Sequence, residues 1–327
     1  MKYIEHGNGG TPECMHIAEG TPPTPGPGQI LIEVAYAGVN RPDVLQRSGR
    51  YPPPVDASPI LGLEVAGRVA ALGAGVTEWK VGDSVTALTP GGGYAEYCTA
   101  PATHALPIPA GMDLATAACL PENWFTVWAN LTLHGHLQSG ERILIHGGSS
   151  GIGLTAIQLA RHIGAECIVT VGSDEKAEFC KNFGAQHTIN YRSTDFATKV
   201  MQLTGGEGVD VVLDMVGAPY LKRNLSVLKR DGRLVIVAFL EGSIGEVDLM
   251  PVMIKRLTIT GSTMRPRTLA EKQALRDALQ REIWPAMEGG KIHTHLFARF
   301  PLDEAAEAHR LMESSKHVGK IVLQVKK

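Results

Sequence analysis

The sequence predicts an α/β protein in which a doubly wound domain with a parallel sheet is joined to a second, β-rich domain. Three observations carry this expectation. The chain has 327 residues, more than a single hydrophobic core usually serves. Residues 1–122 alternate short apolar strands with proline and glycine turns, whereas beyond Glu122 amphipathic helical segments alternate with apolar, β-branched runs. Strands apolar on both faces that alternate strictly with helices describe a parallel sheet covered on each side.

Composition narrows the function classes. Apolar residues at 44% and charged residues at 20% suit a soluble globular chain and exclude wholesale disorder. The 37 glycines and 20 prolines predict many tight turns and close backbone approaches. Thirty-one basic against 33 acidic residues leave a net charge of -2, and no Lys/Arg run offers nucleic acid or a membrane surface a footprint. Cys14, Cys98, Cys119, Cys167 and Cys180 are scattered without a C-x-x-C pair, as suits reduced thiols in a cytoplasmic protein. No basic start leads into an apolar stretch, and no apolar run approaches the ~20 residues of a membrane span. A chain without a targeting segment is expected.

In the first half, residues 29–36 and 63–70 read as strands, and Pro22, Pro23, Pro25, Pro27, Pro52, Pro53 and Pro54 punctuate the loops. In the second half, strands are expected at 143–146, 167–171, 209–215, 234–239 and 257–260, with a further strand ended by Tyr191 and Arg192. Leu154, Ile157, Ala160 and Ile163 share one helix face, backed by Gln158, Arg161 and His162. Further helices fit 174–182, 196–203, 220–229 and 249–256. A helix at 269–287, a strand at 293–300, a helix at 302–313 and a strand at 320–325 do not extend the alternation. This tail is expected to return to the first domain, giving domains of 1–122 with 266–327 and of 123–265.

The most informative stretch is Ile143-Leu144-Ile145-His146-Gly147-Gly148-Ser149-Ser150-Gly151-Ile152-Gly153. Small residues between a strand and a helix let backbone approach a pyrophosphate, and the helix start offers N–H groups and partial positive charge. Ser149, Ser150, Gly151 and Ile152 are the candidate contacts. This describes a Rossmann dinucleotide-binding domain. At the end of the next strand, where an NAD enzyme carries an acid for the ribose diol, stand Gly172 and Ser173. Lys176, Tyr191 and Arg192 can surround a 2'-phosphate, so NADPH is expected ahead of NADH. Asp174 and Glu175 face either the ribose or solvent as acids of a first helical turn. Phe239 and Leu240 are expected to end the fifth strand and Thr263 the sixth, at the carboxyl edge where such folds bind dinucleotides. The glycine spacing also matches short-chain dehydrogenases, but no Tyr has Lys four positions on and the turn lies far from the start.

Other segments carry a resemblance. They include Pro25-Gly26-Pro27-Gly28-Gln29, Gly38-Val39-Asn40-Arg41-Pro42-Asp43, Gly49-Arg50-Tyr51-Pro52-Pro53-Pro54 and Leu61-Gly62-Leu63-Glu64-Val65-Ala66-Gly67. Trp79-Lys80-Val81-Gly82-Asp83, Gly91-Gly92-Gly93-Tyr94-Ala95-Glu96-Tyr97 and His317-Val318-Gly319-Lys320-Ile321-Val322-Leu323 complete the series. Over essentially its whole length the chain resembles the zinc-independent quinone oxidoreductases of the medium-chain dehydrogenase/reductase superfamily, most nearly the p53-inducible branch. The resemblance implies a GroES-like catalytic domain beside the Rossmann domain. Asn40 stands where the zinc enzymes carry Cys, Gly62-Leu63-Glu64 where they carry Gly-His-Glu, and the four-cysteine lobe is missing. No metal is therefore expected. The pairs His134/His136 and His293/His295 lack an acidic or Cys partner nearby in sequence.

By resemblance, Asn40 and Tyr51 face a cleft between the domains. Asn40 would bond the carboxamide, ribose or substrate carbonyl, and Tyr51 would stack on a flat acceptor and offer its O–H; loop packing is the alternative for each. Thr126 looks like a nicotinamide contact at a helix start, or else a capping residue. Ser150 either donates to the pyrophosphate or is simply small, and Arg47 and Arg265 are assigned to salt bridges ahead of guiding the acceptor. The expected activity is NADPH-dependent hydride transfer to quinones or related conjugated carbonyls. An enoyl-thioester or alkenal reductase is the alternative, and a non-catalytic NADPH-binding or structural protein is an alternative of another class. Strand 257–260 would be an unprotected edge, and the resemblance implies that it pairs with its copy in a homodimer.

Overall fold

The computed structural model describes residues 1–326. Two compact units divide it: Met1–Phe125 with Arg265–Lys327, and Thr126–Met264. The N-terminal stretch holds β1 (Lys2–Glu5), β2 (His16–Glu19), β3 (Gln29–Val39), α1 (Arg41–Arg47), β4 (Glu64–Leu72), β5 (Ser84–Leu88), β6 (Tyr97–Pro101), β7 (Ala105–Pro107) and α2 (Leu114–Ala117). Helix α3 (Pro121–Trp128) runs across the boundary. The second unit contains β8 (Arg142–Ile145), α4 (Gly151–Ile163), β9 (Glu166–Val171), α5 (Asp174–Asn182), β10 (His187–Asn190) and α6 (Phe196–Leu203). It continues through β11 (Val209–Asp214), α7 (Ala218–Val227), β12 (Leu228–Ile236), α8 (Met250–Lys255) and β13 (Thr258–Gly261). The tail adds α9 (Leu269–Glu282), α10 (Trp284–Glu288), β14 (Leu296–Pro301), α11 (Ala305–Ser314) and β15 (Lys320–Gln324).

In the first unit a seven-stranded sheet runs β14-β15-β3-β4-β5-β7, with β6 on β3. The tail joins it because Val322 registers opposite Gly38 and Leu323 opposite Ala37. Ile30, Ile32, Val34, Val65, Val85, Ile321 and Leu323 build its core. In the second unit all six strands are parallel, in the order β10-β9-β8-β11-β12-β13. Strand order reverses at β8, the switch point at which a doubly wound sheet opens a crevice beyond its carboxyl ends. Among the described residues, no helix is long and apolar enough to cross a membrane.

Several elements follow from local chemistry. Ser150 caps α4 by accepting the Gly153 N–H, and Gly164 ends it with φ 88°. Ser173 and Asp195 cap α5 and α6 in the same way. The helix expected over 269–287 is instead two. Thr268 and Glu271 form a reciprocal capping box at its start, and Pro285, which lacks an N–H, separates α9 from α10. The fifth strand ends at Ile236, three residues before its expected limit, because Leu240 and Glu241 turn to donate to the Met215 and Val216 carbonyls. Phe239 and Leu240 thus occupy a turn rather than a strand. Beyond α3 the chain widens into a π-helical segment, Ala129–His134, where the Gly135 N–H reaches the Asn130 carbonyl.

Candidate active site

At the carboxyl end of β8, His146 opens the glycine turn. Its Nε2 lies 2.7 Å from Asn224 Oδ1 on α7 and its Nδ1 lies 3.0 Å from Thr170 Oγ1 on β9. Burial pushes its pKa down to about 4, so the ring is neutral with one N–H: Nε2 donates to Asn224 and Nδ1 accepts from Thr170. The ring also meets Phe196 and Tyr220 edge-on. No motif singles out this clamp; a histidine inside an Ile-Leu-Ile run is the one sequence signal for it.

Ser149 is buried and Gly151 and Ile152 begin α4, where first-turn N–H groups have no helical acceptor. A Cβ on Gly153 would sit 2.4 Å from the Gly147 carbonyl oxygen and 2.5 Å from that of Gly148, so only glycine closes the turn this tightly. Ser150 bonds within the turn itself. Its hydroxyl proton goes to the Gly147 carbonyl at 2.8 Å while its oxygen accepts from Gly153, so the residue is committed to holding the turn.

At the end of β9, Ser173, Lys176 and Tyr191 come together around Gly172. A Cβ on Gly172 would lie 2.9 Å from Tyr191 Oη and 3.6 Å from Arg192 Nε. Burial, then the neighbouring Arg192 charge, lowers the Lys176 pKa. Asp174 is turned to a neighbouring strand end, whereas Glu175 bonds a member of this group. Asp174 Oδ1 accepts from Asn190 Nδ2 at 2.9 Å, and the Ser173 hydroxyl holds the Glu175 carboxyl below its ordinary range.

Thr126 lies in the second turn of α3 rather than at a helix start. Its carbonyl accepts from Asn130 Nδ2 at 2.8 Å, and Asn130 Oδ1 accepts from Ser262 Oγ at 3.0 Å, beside exposed Thr263. Asn130 and Ser262, absent from the sequence reading, thus connect two expected cofactor contacts. Phe239 is 53% exposed, in the turn packed on Gly217.

The first unit gathers buried charge. Asn40 follows β3, Glu64 starts β4 and Lys320 starts β15, and sheet pairing brings the three together. Lys320 Nζ donates to Asn40 Oδ1 and to Glu64 Oε1, each at 2.6 Å, and Asn40 Nδ2 donates to Glu64 Oε1 at 2.9 Å. Glu64 Oε2 accepts from the Glu122 N–H at 2.9 Å. Burial alone would lower the Lys320 pKa, but Glu64 beside it holds it above the ordinary value. Asn40 is therefore tied into a charged knot at both ends of its amide, which differs from a group standing open to a ligand. Asp43 accepts from the Asn40 and Gly62 N–H groups, yet burial pushes its pKa up to about 7.

Tyr51 is half-buried, with the Arg265 guanidinium 5.6 Å from its ring centre. Burial and then Glu122 raise its pKa. Arg47 makes the expected ion pair, to Glu313 at 2.7 Å. Arg265 differs: it donates to the Pro90 carbonyl and to Gln46 Oε1. Among the described residues, no three His, Cys, Asp or Glu side chains are grouped to hold a metal ion.

A parallel six-stranded nucleotide-binding sheet and an antiparallel-rich partner are what the family comparisons match. Residues 26–110 match the alcohol dehydrogenase GroES-like domain and residues 151–281 the domain described as zinc-binding dehydrogenase. The chain belongs to the medium-chain dehydrogenase/reductase family. It is 34% identical to the quinone oxidoreductase of Lama guanicoe over 100% of this chain and 98% of that protein. It is 33% identical to a mycocerosic acid synthase-like polyketide synthase of Mycolicibacterium smegmatis, over 97% of this chain but only 15% of that much longer protein. Among solved structures, Escherichia coli quinone oxidoreductase complexed with NADPH superposes with a TM-score of 0.89 at 32% identity, covering 99% of this chain and 100% of that one. The CurK enoyl reductase does so with a TM-score of 0.87 at 31% identity, covering 99% of each.

Proposed function

We propose that this oxidoreductase uses NADPH to reduce quinones or related conjugated carbonyl acceptors without a metal. One observation supports it most: Lys176, Arg192 and Tyr191 surround Gly172 and Ser173 while Asp174 bonds Asn190. That set suits a 2'-phosphate and lacks the acid that would take a ribose diol. The glycine turn suits a pyrophosphate, since small residues lead from β8 into the free first-turn N–H groups of α4. Bound NADPH would supply the hydride. Ser149, Gly151 and Ile152 would hold its pyrophosphate, and Ser173, Lys176 and Tyr191 its 2'-phosphate. Thr126, Phe239, Leu240 and Thr263 are further candidate contacts, and Ser150 contributes by keeping the turn closed. Asn40, through its second amide hydrogen, and Tyr51, through its ring and hydroxyl, would bind and orient the acceptor.

A second reading is reduction of enoyl thioesters or alkenals, favoured by the matches to a polyketide synthase and an enoyl reductase. Steady-state NADPH oxidation with ortho-quinones, para-quinones, short alkenals and an enoyl thioester separates the two. Turnover confined to the thioester would sink the quinone assignment.

We further infer a C2 homodimer through β13, which among the described residues pairs only with β12 and leaves Ile259 41% exposed at the sheet edge. All five cysteines are thiols, which fits a reducing compartment such as the cytoplasm.

A further inference from the structure

We propose that Glu64 and Lys320 are positioning residues that lock the Asn40 side-chain amide in one orientation, so that it meets the acceptor only as a hydrogen-bond donor. The inference rests on the functional reading above, in which Asn40 binds the acceptor. It goes further by naming what the amide selects: an oxygen with a free lone pair, as in a carbonyl, and not an N–H or O–H donor.

The two ends of an asparagine amide are nearly equal in shape, so its partners decide which way round the group lies. An ammonium group can only donate, and an ionised carboxylate can only accept. Lys320 Nζ donates to Asn40 Oδ1 at 2.6 Å, and Asn40 Nδ2 donates to Glu64 Oε1 at 2.9 Å. Turning the amide over would set its N–H groups against the ammonium and its oxygen against the carboxylate. Two repulsive contacts would replace two charge-assisted bonds.

The locking groups are themselves held. Lys320 Nζ also donates to Glu64 Oε1, and Glu64 Oε2 accepts the Glu122 N–H at 2.9 Å. A Cβ on Gly38 would overlap Glu64 Oε1, so β3 carries glycine where that carboxyl comes in. The backbone N–H of Asn40 is fixed on Asp43 Oδ2 at 2.8 Å.

What remains for a ligand is one hydrogen. Nδ2 carries two, and among the described residues only Glu64 accepts one of them. Glu64 and Lys320 are 0% and 3% exposed, while Asn40 keeps 7%, so of the three it is the one that borders solvent. A ligand donor brought against that hydrogen would leave both groups unpaired, which costs more than a missing bond in water.

Calorimetric titration of the full chain with two flat bicyclic rings of like size tests the donor: indanone, a ketone that only accepts, and indole, which only donates. The wild type should bind indanone roughly tenfold more tightly than indole, the worth of about one hydrogen bond. Asn40→Ala should lose that preference without disturbing the buried ion pair. Glu64→Leu combined with Lys320→Met, which removes both buried charges together, should lose it as well. With NADPH and a para-quinone, Asn40→Ala and the Glu64→Leu/Lys320→Met variant should each lower kcat/KM roughly tenfold. All three changes in one chain should lower it no further, because they act on the same hydrogen. Equal wild-type affinity for the two rings, or a preference kept when Glu64 and Lys320 are replaced, would overturn the inference. So would losses that multiply in the triple variant, as a merely structural pair would give. A wild-type chain that prefers indanone yet oxidises NADPH with no quinone would remove the functional reading and leave the amide lock standing.

Discussion

Lys320 Nζ lies 2.6 Å from Glu64 Oε1, with the two side chains 4% and 0% exposed. Charges so deeply buried are stable only while paired and hydrogen-bonded, because each has lost its hydration. Removing one partner leaves the other stranded. Lys320→Met should cost about 3–5 kcal/mol of unfolding free energy, read by urea titration. Glu64→Leu combined with Lys320→Met should cost less than the two single changes added together. Additive costs would mean that the pair is not coupled.

Glu122 and Asp43 make stability fall as pH rises. Burial raises both folded-state pKa values, to about 8 and about 7, above the ordinary carboxylate range. Between that range and these values the folded chain holds protons that the unfolded chain has released, so alkali favours unfolding. Their contribution is present at about pH 4 and is lost by about pH 9. Thermal unfolding should show Glu122→Gln gaining stability over the wild type as pH rises toward that limit. A difference independent of pH would contradict the buried acid.

Lys176 and Arg192 sit close enough for the Arg192 charge to lower the Lys176 pKa. A 2'-phosphate would relieve that repulsion, and NADH would not. Lys176→Ala should raise the Kd for NADPH roughly ten- to hundredfold, the loss of one charge-assisted bond, and leave that for NADH within a factor of about two. Tryptophan-fluorescence titration with both nucleotides measures this, and equal weakening of both would refute the phosphate cage.

Ile259 lies at the sheet edge formed by β13. A charge there blunts edge pairing, which is how natural edge strands avoid it. Ile259→Lys should shift the chain to a monomer in sedimentation or light scattering while leaving its folding intact. A persisting dimer would locate the interface elsewhere.

The parts readable in the sequence are those set by neighbours in the chain. Helices α5 and α6 begin after Ser173 and Asp195, whose side chains cap them within three residues. The strand, glycine turn and amphipathic helix at 142–163 follow from local periodicity and small residues in the same way. The candidate cofactor groups at Gly172, Ser173 and Lys176 were readable because one strand end leads directly into one helix.

What failed or stayed hidden depended on distant chain segments. Asp174 meets Asn190, 16 residues away. Strand β12 stopped early because its exit bonds to Met215 and Val216. The sequence by itself determined the fold class, the dinucleotide turn and the candidate cation pair. Only the tertiary structure decided that Asn40 meets Lys320, 280 positions away, and that Glu122 stands on Glu64. Buried charges must be neutralised by whatever group the sheet register brings alongside, and register joins residues that no local pattern relates.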